Sequence, residues 1–289
     1  MKLCLACGAR FDAEGWGCPK CGAEPETING FPAFAPALAR SGAGYDAGHF
    51  DKLFALEAGH FWFRARNRLI QWALARHFPA ARNFCEIGCG TGFVLSGVRE
   101  ALPGAALSAS EVFADGLPYA ARRVPGARLT QMDACAIPFE DEFDAIGAFD
   151  VIEHIEDDRA ALKSMHRALA PGGGLLLTVP QHPWLWSWMD DAAHHVRRYT
   201  AAGLRARVEE AGFRIERMSS FVSLLLPAMM LSRLGRRKAA VAADPYAEFR
   251  MSPLVNRALE WVLALERGLI RAGMSFPAGG SLLLVARKQ

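Results

Sequence analysis

Between residues 82 and 221 short apolar runs alternate with helical patterns, and this alternation constrains the fold more than any other feature of the chain. RNFCEI, ALSAS, ARLTQM, FDAIGAF, GGLLLTVP and FRIERMSSF read as strands, with helices over 157–169 and 201–211. Strands separated by helices build βαβ units around a parallel sheet. A further helix over 253–271 and a closing strand, GGSLLLVARK, follow. A length of 289 residues accommodates one α/β domain and a small appendage.

The composition is that of an ordinary globular protein, 52% hydrophobic and 22% charged. A net charge of +3 permits an anionic partner but does not argue for nucleic acid, which usually needs a concentrated basic face, and a nucleic-acid partner is not expected. The first residues hold no signal-peptide core, and no apolar run reaches the roughly 18 residues of a spanning helix. A cytoplasmic protein is therefore expected.

Four of the seven cysteines fall within the first 21 residues, as Cys4-x2-Cys7 and Cys18-x2-Cys21, each pair followed by glycine. Two such pairs can wrap one tetrahedral Zn²⁺, and metal binding would supply folding energy to a segment too small for its own core. With four thiolates the site is closed, so its role is structural or partner-binding. The segment resembles a rubredoxin-like zinc ribbon.

The strand at 82–87 runs into EIGCGTG, residues 86–92. A dinucleotide fingerprint would need glycine at 93, where the chain has Phe93. The motif is instead GxGxG over Gly88, Gly90 and Gly92, preceded by Glu86. Such a turn passes close beneath a ligand and presents the amides of the next helix. Glu86 would repel pyrophosphate but suits an ammonium group, so an adenine compound with a cationic amino-acid tail fits better than NAD. Glu111, at the end of the second strand, is placed for ribose hydroxyls. Asp133, at the end of the third, is placed for an exocyclic amine.

EIGCGTG, Glu111, MDA at 132–134 and FDVIEHIED at 149–157 together resemble the class I S-adenosylmethionine-dependent methyltransferases, over 60–221 and the last strand. The resemblance implies a Rossmann-like, seven-stranded sheet with its final strand antiparallel. It places Glu86, Gly88, Gly90 and Gly92 around the methionine moiety, with Val112, Ala134 and Phe149 in the same cofactor site. HFWFRARNRLI at 60–70 is similar to the lid of bacterial members, where His60 and Arg64 would touch cofactor or substrate; a plain amphipathic helix is the alternative. The expected organisation is a ribbon at 1–26, a helical lid segment at 27–80 and a methyltransferase domain at 81–289, with a helical insertion at 222–278.

The acceptor is expected over the carboxyl ends of the fourth and fifth strands. His154, His182, His194 and His195 are the candidate bases, with His195 foremost. Asp150, Glu153 and His154 also resemble the E-x-x-E-H element of metal-dependent O-methyltransferases, with His182 or His195 as a further ligand to a possible divalent ion. Trp184, Trp186 and Trp188 could wall an apolar or sugar pocket, and Arg197 and Arg198 could clamp an anion. The insertion sets FVSLLLPAMML beside Arg233, Arg236, Arg237 and Lys238, which suits peripheral contact with an anionic membrane through 221–238, or else a substrate lid or dimer contact. The expected reaction is O-methylation of a small-molecule, sugar or lipid-linked acceptor. RNA 2′-O-methylation through the metal element, or a non-catalytic cofactor-binding partner protein, are the alternatives. The oligomeric state is left open.

Overall fold

A computed structural model describes residues 1–40, 48–234 and 251–289. Its centre is a nine-stranded sheet. Seven strands form the expected core: β5 (Asn83–Ile87), β6 (Ala106–Glu111), β7 (Arg128–Gln131), β8 (Phe143–Phe149), β9 (Leu169–Pro180), β10 (Phe213–Phe221) and β11 (Ser281–Lys288). Their order is β10-β11-β9-β8-β5-β6-β7, with β11 antiparallel to both neighbours. The first strand in sequence of the parallel set, β5, lies between β6 and β8. The chain therefore reverses direction across the sheet at β5, and the carboxyl ends of β5, β6 and β8 open onto a crevice.

The sheet is wider than the seven strands expected. A hairpin of β3 (Glu26–Ile28) and β4 (Phe31–Ala33) extends it past β7, where Ala33 pairs with Gln131. The loop-like stretch that follows the cysteines thus begins as sheet edge. Gln131 explains the attachment: its buried side chain accepts from the Ala35 amide and donates to the Ala35 and Val112 carbonyls.

Helices cover both faces. On one lie α3 (Phe61–His77), α4 (Phe93–Ala101), α5 (Leu117–Arg123) and α10 (Pro253–Arg271); on the other lie α6 (Asp158–Ala168) and α8 (Ala201–Glu210). The central strands are buried on both faces, which is why apolar residues fall on both sides of β8 and β9. In β11, Leu283 and Val285 join the core beneath α3 and α10, while Leu282, Leu284 and Ala286 join the opposite core. Short helices α1 (Pro36–Arg40) and α2 (His49–Glu57) precede α3, α7 (Trp188–Ala192) lies after β9, and α9 (Leu226–Leu234) follows β10. No helix among the described residues is long and apolar enough to cross a membrane. Arg236, Arg237 and Lys238 lie outside the described residues, as does the side chain of Arg233.

The cysteine segment packs on the body through its own small hairpin, β1 (Lys2–Leu3) with β2 (Arg10–Phe11). The Leu3 amide donates to the Pro138 carbonyl, and Trp16 stands edge-on to Phe34 and Phe139.

Candidate functional site

The loop after β5 is built by three glycines of positive φ, Gly88, Gly90 and Gly92. Two of them have opposite surroundings. A Cβ on Gly92 would stand 2.8 Å from Ala120 Cα, so the loop lies directly on α5. A Cβ on Gly90 would meet nothing within 4 Å, so this residue faces open space and forms the cradle. The Gly90 amide donates to Glu111 Oε2 at 2.8 Å, which joins the loop to the end of β6.

Beneath the cradle lies an excess of buried carboxyls. Glu86 is buried, and its Oε2 has no hydrogen-bond partner among the described residues. Burial pushes its carboxyl well above the usual range, Arg66 opposes this, and Glu57 and Glu111 add to it. Glu57 and Glu111 are raised as well, mainly by burial. A buried anion without a partner is costly, so this pocket favours a cationic ligand. Orphaned Glu86 and the open face of Gly90 fit the ammonium and methionine backbone of S-adenosylmethionine. Asp133 and Ala134 stand just beyond β7, where Asp133 accepts from the Cys135 amide; Val112 lies just past β6.

The segment ahead of α3 divides its tasks differently from the expectation of a His60–Arg64 contact with the ligand. His60 caps α3, accepting from the Trp62 amide, and burial with nearby Arg64 lowers its pKa to about 4. Arg64 pairs with Glu260 on α10. Arg66 is the residue that enters the site: its Nε lies 2.8 Å from Asp150 Oδ2, and its Nη2 donates to the Phe149 carbonyl at the end of β8. Glu57, the last residue of α2, accepts from Thr91 Oγ1 and pairs with Arg123, which latches α2 onto the glycine loop.

A second cluster stands past the ends of β8 and β9. His154 and His195 pack edge-on with centroids 4.7 Å apart. His195 Nδ1 lies 2.9 Å from Asp190 Oδ1, and Asp190 is in turn held by Arg198 Nε at 2.7 Å and the Ser187 amide at 2.8 Å. Burial works against ionisation of Asp190, but His195 and Arg198 outweigh it and hold the carboxyl far below the usual range. Burial, with His195 beside it, lowers the His154 pKa to about 4. Fully buried Glu153 has neither oxygen hydrogen-bonded among the described residues. Ligand atoms of Glu153, His154 and His195 all lie within 4.8 Å of one another, a spacing that could hold a metal ion. Asp150 points to Arg66 instead, so the possible metal set of the sequence is rearranged around His195.

Of the remaining candidates, His194 borders His154 through its backbone. His194 precedes His195 in a left-handed conformation, and His182 stacks on exposed Trp184 just past β9. Arg197 is engaged by Asp158 and Arg198 by Asp190, which leaves neither as an anion clamp. Trp186 is exposed and bonds Asp191. Left-handed non-glycine residues sit just past three strands: Asp150 after β8, His182 after β9 and Val222 after β10. Such strain gathers at functional sites.

At the amino end, Sγ atoms of Cys4 and Cys21 lie 3.6 Å apart and those of Cys7 and Cys18 lie 3.7 Å apart. Tetrahedral thiolates at about 2.3 Å from zinc would be about 3.8 Å apart. Both loops fold alike, with the Gly8 amide donating to the Cys4 carbonyl and the Gly22 amide to the Cys18 carbonyl.

A methyltransferase-domain family matches residues 54–217, more than half of the chain. A probable S-adenosylmethionine-dependent methyltransferase of Mycolicibacterium smegmatis is 28% identical over 163 residues, covering 54% of this chain and 61% of that protein. A demethylmenaquinone methyltransferase of Thermus thermophilus is 33% identical over 127 residues, covering 42% of this chain and 56% of the relative. The chain thus matches about six-tenths of the length of these relatives. Among solved structures, the [4+2]-cyclase SpnF shares the fold with a TM-score of 0.58 at 20% identity, over 89% of this chain and 98% of that one. From this match and the crevice at the strand ends, the chain belongs to the class I S-adenosylmethionine-dependent methyltransferases.

Proposed function

We propose that the protein transfers the methyl group of S-adenosylmethionine to a hydroxyl of a small or lipid-linked acceptor lying over the ends of β8 and β9. The observation that carries this reading is the pairing of an orphaned buried Glu86 under the glycine cradle with an Asp190-held His195 past the neighbouring strands. When bound, the cofactor supplies a methyl group already activated by its sulfonium. Glu86 balances the ammonium, Glu111 and Asp133 receive the ribose and adenine, and the cradle fixes the line of attack. His195 takes the acceptor proton at Nε2, since Nδ1 faces Asp190, and the buried carboxylate stabilises the imidazolium that results.

The relatives support a methyl transfer, and one of them is named for demethylmenaquinone, a small molecule. The cyclase with the same fold makes the direct test necessary. Labelled cofactor is incubated with fractionated host metabolites and lipids. Label entering a metabolite or lipid fraction, and lost with His195→Ala, is the expected result; cofactor binding with no acceptor labelled in any fraction overturns the reading.

A second reading of the acceptor side is a divalent ion held by Glu153, His154 and His195, favoured by the two unpartnered oxygens of Glu153. Glu153, His154 and His195 would hold the ion, which would supply Lewis acidity to an acceptor hydroxyl, with Asp190 orienting His195. Chelator-sensitive turnover restored by Mg²⁺ or Mn²⁺ would select it. We further propose that Cys4, Cys7, Cys18 and Cys21 hold a structural Zn²⁺, on the spacing of their sulfurs.

A further inference from the structure

Helix α10 is apolar on two opposite sides. One side is accounted for: Leu259, Leu263 and Ile270 pack into the core beneath it. The other carries Leu254, Ala258, Trp261 and Leu265, all exposed. At 3.6 residues per turn these four side chains fall within about 60° of the helix circumference. Leu254 is 83%, Trp261 68% and Leu265 62% exposed, too large a set on one line to be incidental surface.

The charges of α10 are distributed unequally around this line. Both acids are turned away from it: Glu260 pairs with Arg64 and Arg68, and buried Glu266 accepts from the amides of Val222, Ser223 and Leu224. Exposed Arg257 flanks the line about 40° from Trp261, so the charge nearest the apolar strip is basic. Pairing two copies through this face would bring arginines together with no acid of the helix to oppose them. An anionic surface has the complementary charge. The strip also lacks polar groups that would specify a protein partner, and the 19-residue helix is about 28 Å long. This combination is that of a helix lying along a lipid interface.

We propose that the outer face of α10 docks the protein on anionic lipid surfaces. The face is formed by residues 254–265 of α10 and goes beyond the reaction proposed above. It has a route to the crevice. Asn256 accepts from the Phe61 amide and donates to the Gly59 carbonyl, and Glu260 holds Arg64, so α10 secures the start of the helix that delivers Arg66. Docking there sets the mouth of the site near a lipid-borne acceptor.

The test is flotation of the full chain with phosphatidylcholine vesicles, with and without phosphatidylglycerol. The protein is expected to float only with the anionic vesicles, and Leu254→Asn/Trp261→Ser/Leu265→Asn should lower the bound fraction at least about tenfold. These positions are exposed, so cofactor affinity by calorimetry and the melting temperature should stay as in the parent. Arg257→Glu should reduce the preference for anionic vesicles. Failure of the parent to float, or undiminished flotation of the triple variant, overturns the proposal. So does sedimentation velocity showing a dimer that the triple variant breaks. Cofactor binding reads out separately, so loss of this proposal leaves the methyl-transfer reading standing or falling by itself.

Discussion

Asp190 Oδ1 accepts from His195 Nδ1 at 2.9 Å while the same oxygen is 2.7 Å from Arg198 Nε. The Asp190 carboxylate, held also by Arg198, fixes the tautomer of the neutral imidazole with its proton on Nδ1 and leaves Nε2 for the acceptor. Replacing His195 with alanine should reduce turnover by about 10²–10⁴-fold with cofactor affinity intact. Asp190→Asn should reduce it as well, through loss of the tautomer. Steady-state kinetics beside calorimetry checks both; unchanged turnover in His195→Ala removes the base from the mechanism.

The carboxylate under the cradle makes its own prediction. Glu86→Gln should weaken S-adenosylmethionine binding by about tenfold or more, since a buried charge pair is lost, while adenosine, which lacks the cationic tail, binds as before. Gly90→Arg should abolish binding of both, because it fills the open face of the loop. Equal loss of adenosine and cofactor in Glu86→Gln would place the acid elsewhere than at the ammonium.

Two arginines two residues apart in α3 should behave unlike each other. Arg66→Ala removes a buried guanidinium that pairs with half-buried Asp150 and donates to the Phe149 carbonyl, and should cost about 1–3 kcal/mol of stability. Arg64→Ala breaks a pair nearer the surface and should cost about 1 kcal/mol or less. Chemical denaturation of the two variants tests the contrast, and similar losses would contradict the assigned environments.

His154 sets a pH dependence whose sign follows from its lowered pKa of about 4. An unfolded histidine titrates near 6.5, so between these values the unfolded chain binds the extra proton and the neutral folded form loses ground. Relative to His154→Gln, the parent should therefore lose stability as pH falls from 7 through 6.5 towards 4. Melting temperatures of the pair across this range provide the measurement; a constant difference would mean that His154 is not held neutral.

For the amino-terminal knuckles, Cys18→Ser should lower zinc from one per chain to substoichiometric levels by elemental mass spectrometry. Retention of one zinc per chain would remove Cys18 from the ligand set.

The strands, the glycine loop and the cysteine pairs were readable in the chain because each is a local regularity. FDAIGAF matches β8 end for end because both its faces are buried, and FRIERMSSF matches β10, whose first half alternates between more and less buried positions. Glu86 and Glu111 were legible for a related reason, as acids at strand ends beside a bare turn. Arg66, Gln131 and Asp190 carried no such mark. Arg66 meets Phe149 across 83 positions, Gln131 reaches back 96 to Ala35, and Arg64 finds its partner 196 residues away on α10. Nothing in α3 distinguishes the arginine that enters the site from the one that serves a neighbouring helix. Periodicity and backbone propensity act within a few residues and decide which segments are strand or helix. The pairing of buried charges depends on which elements pack together, and so it came from the assembled fold.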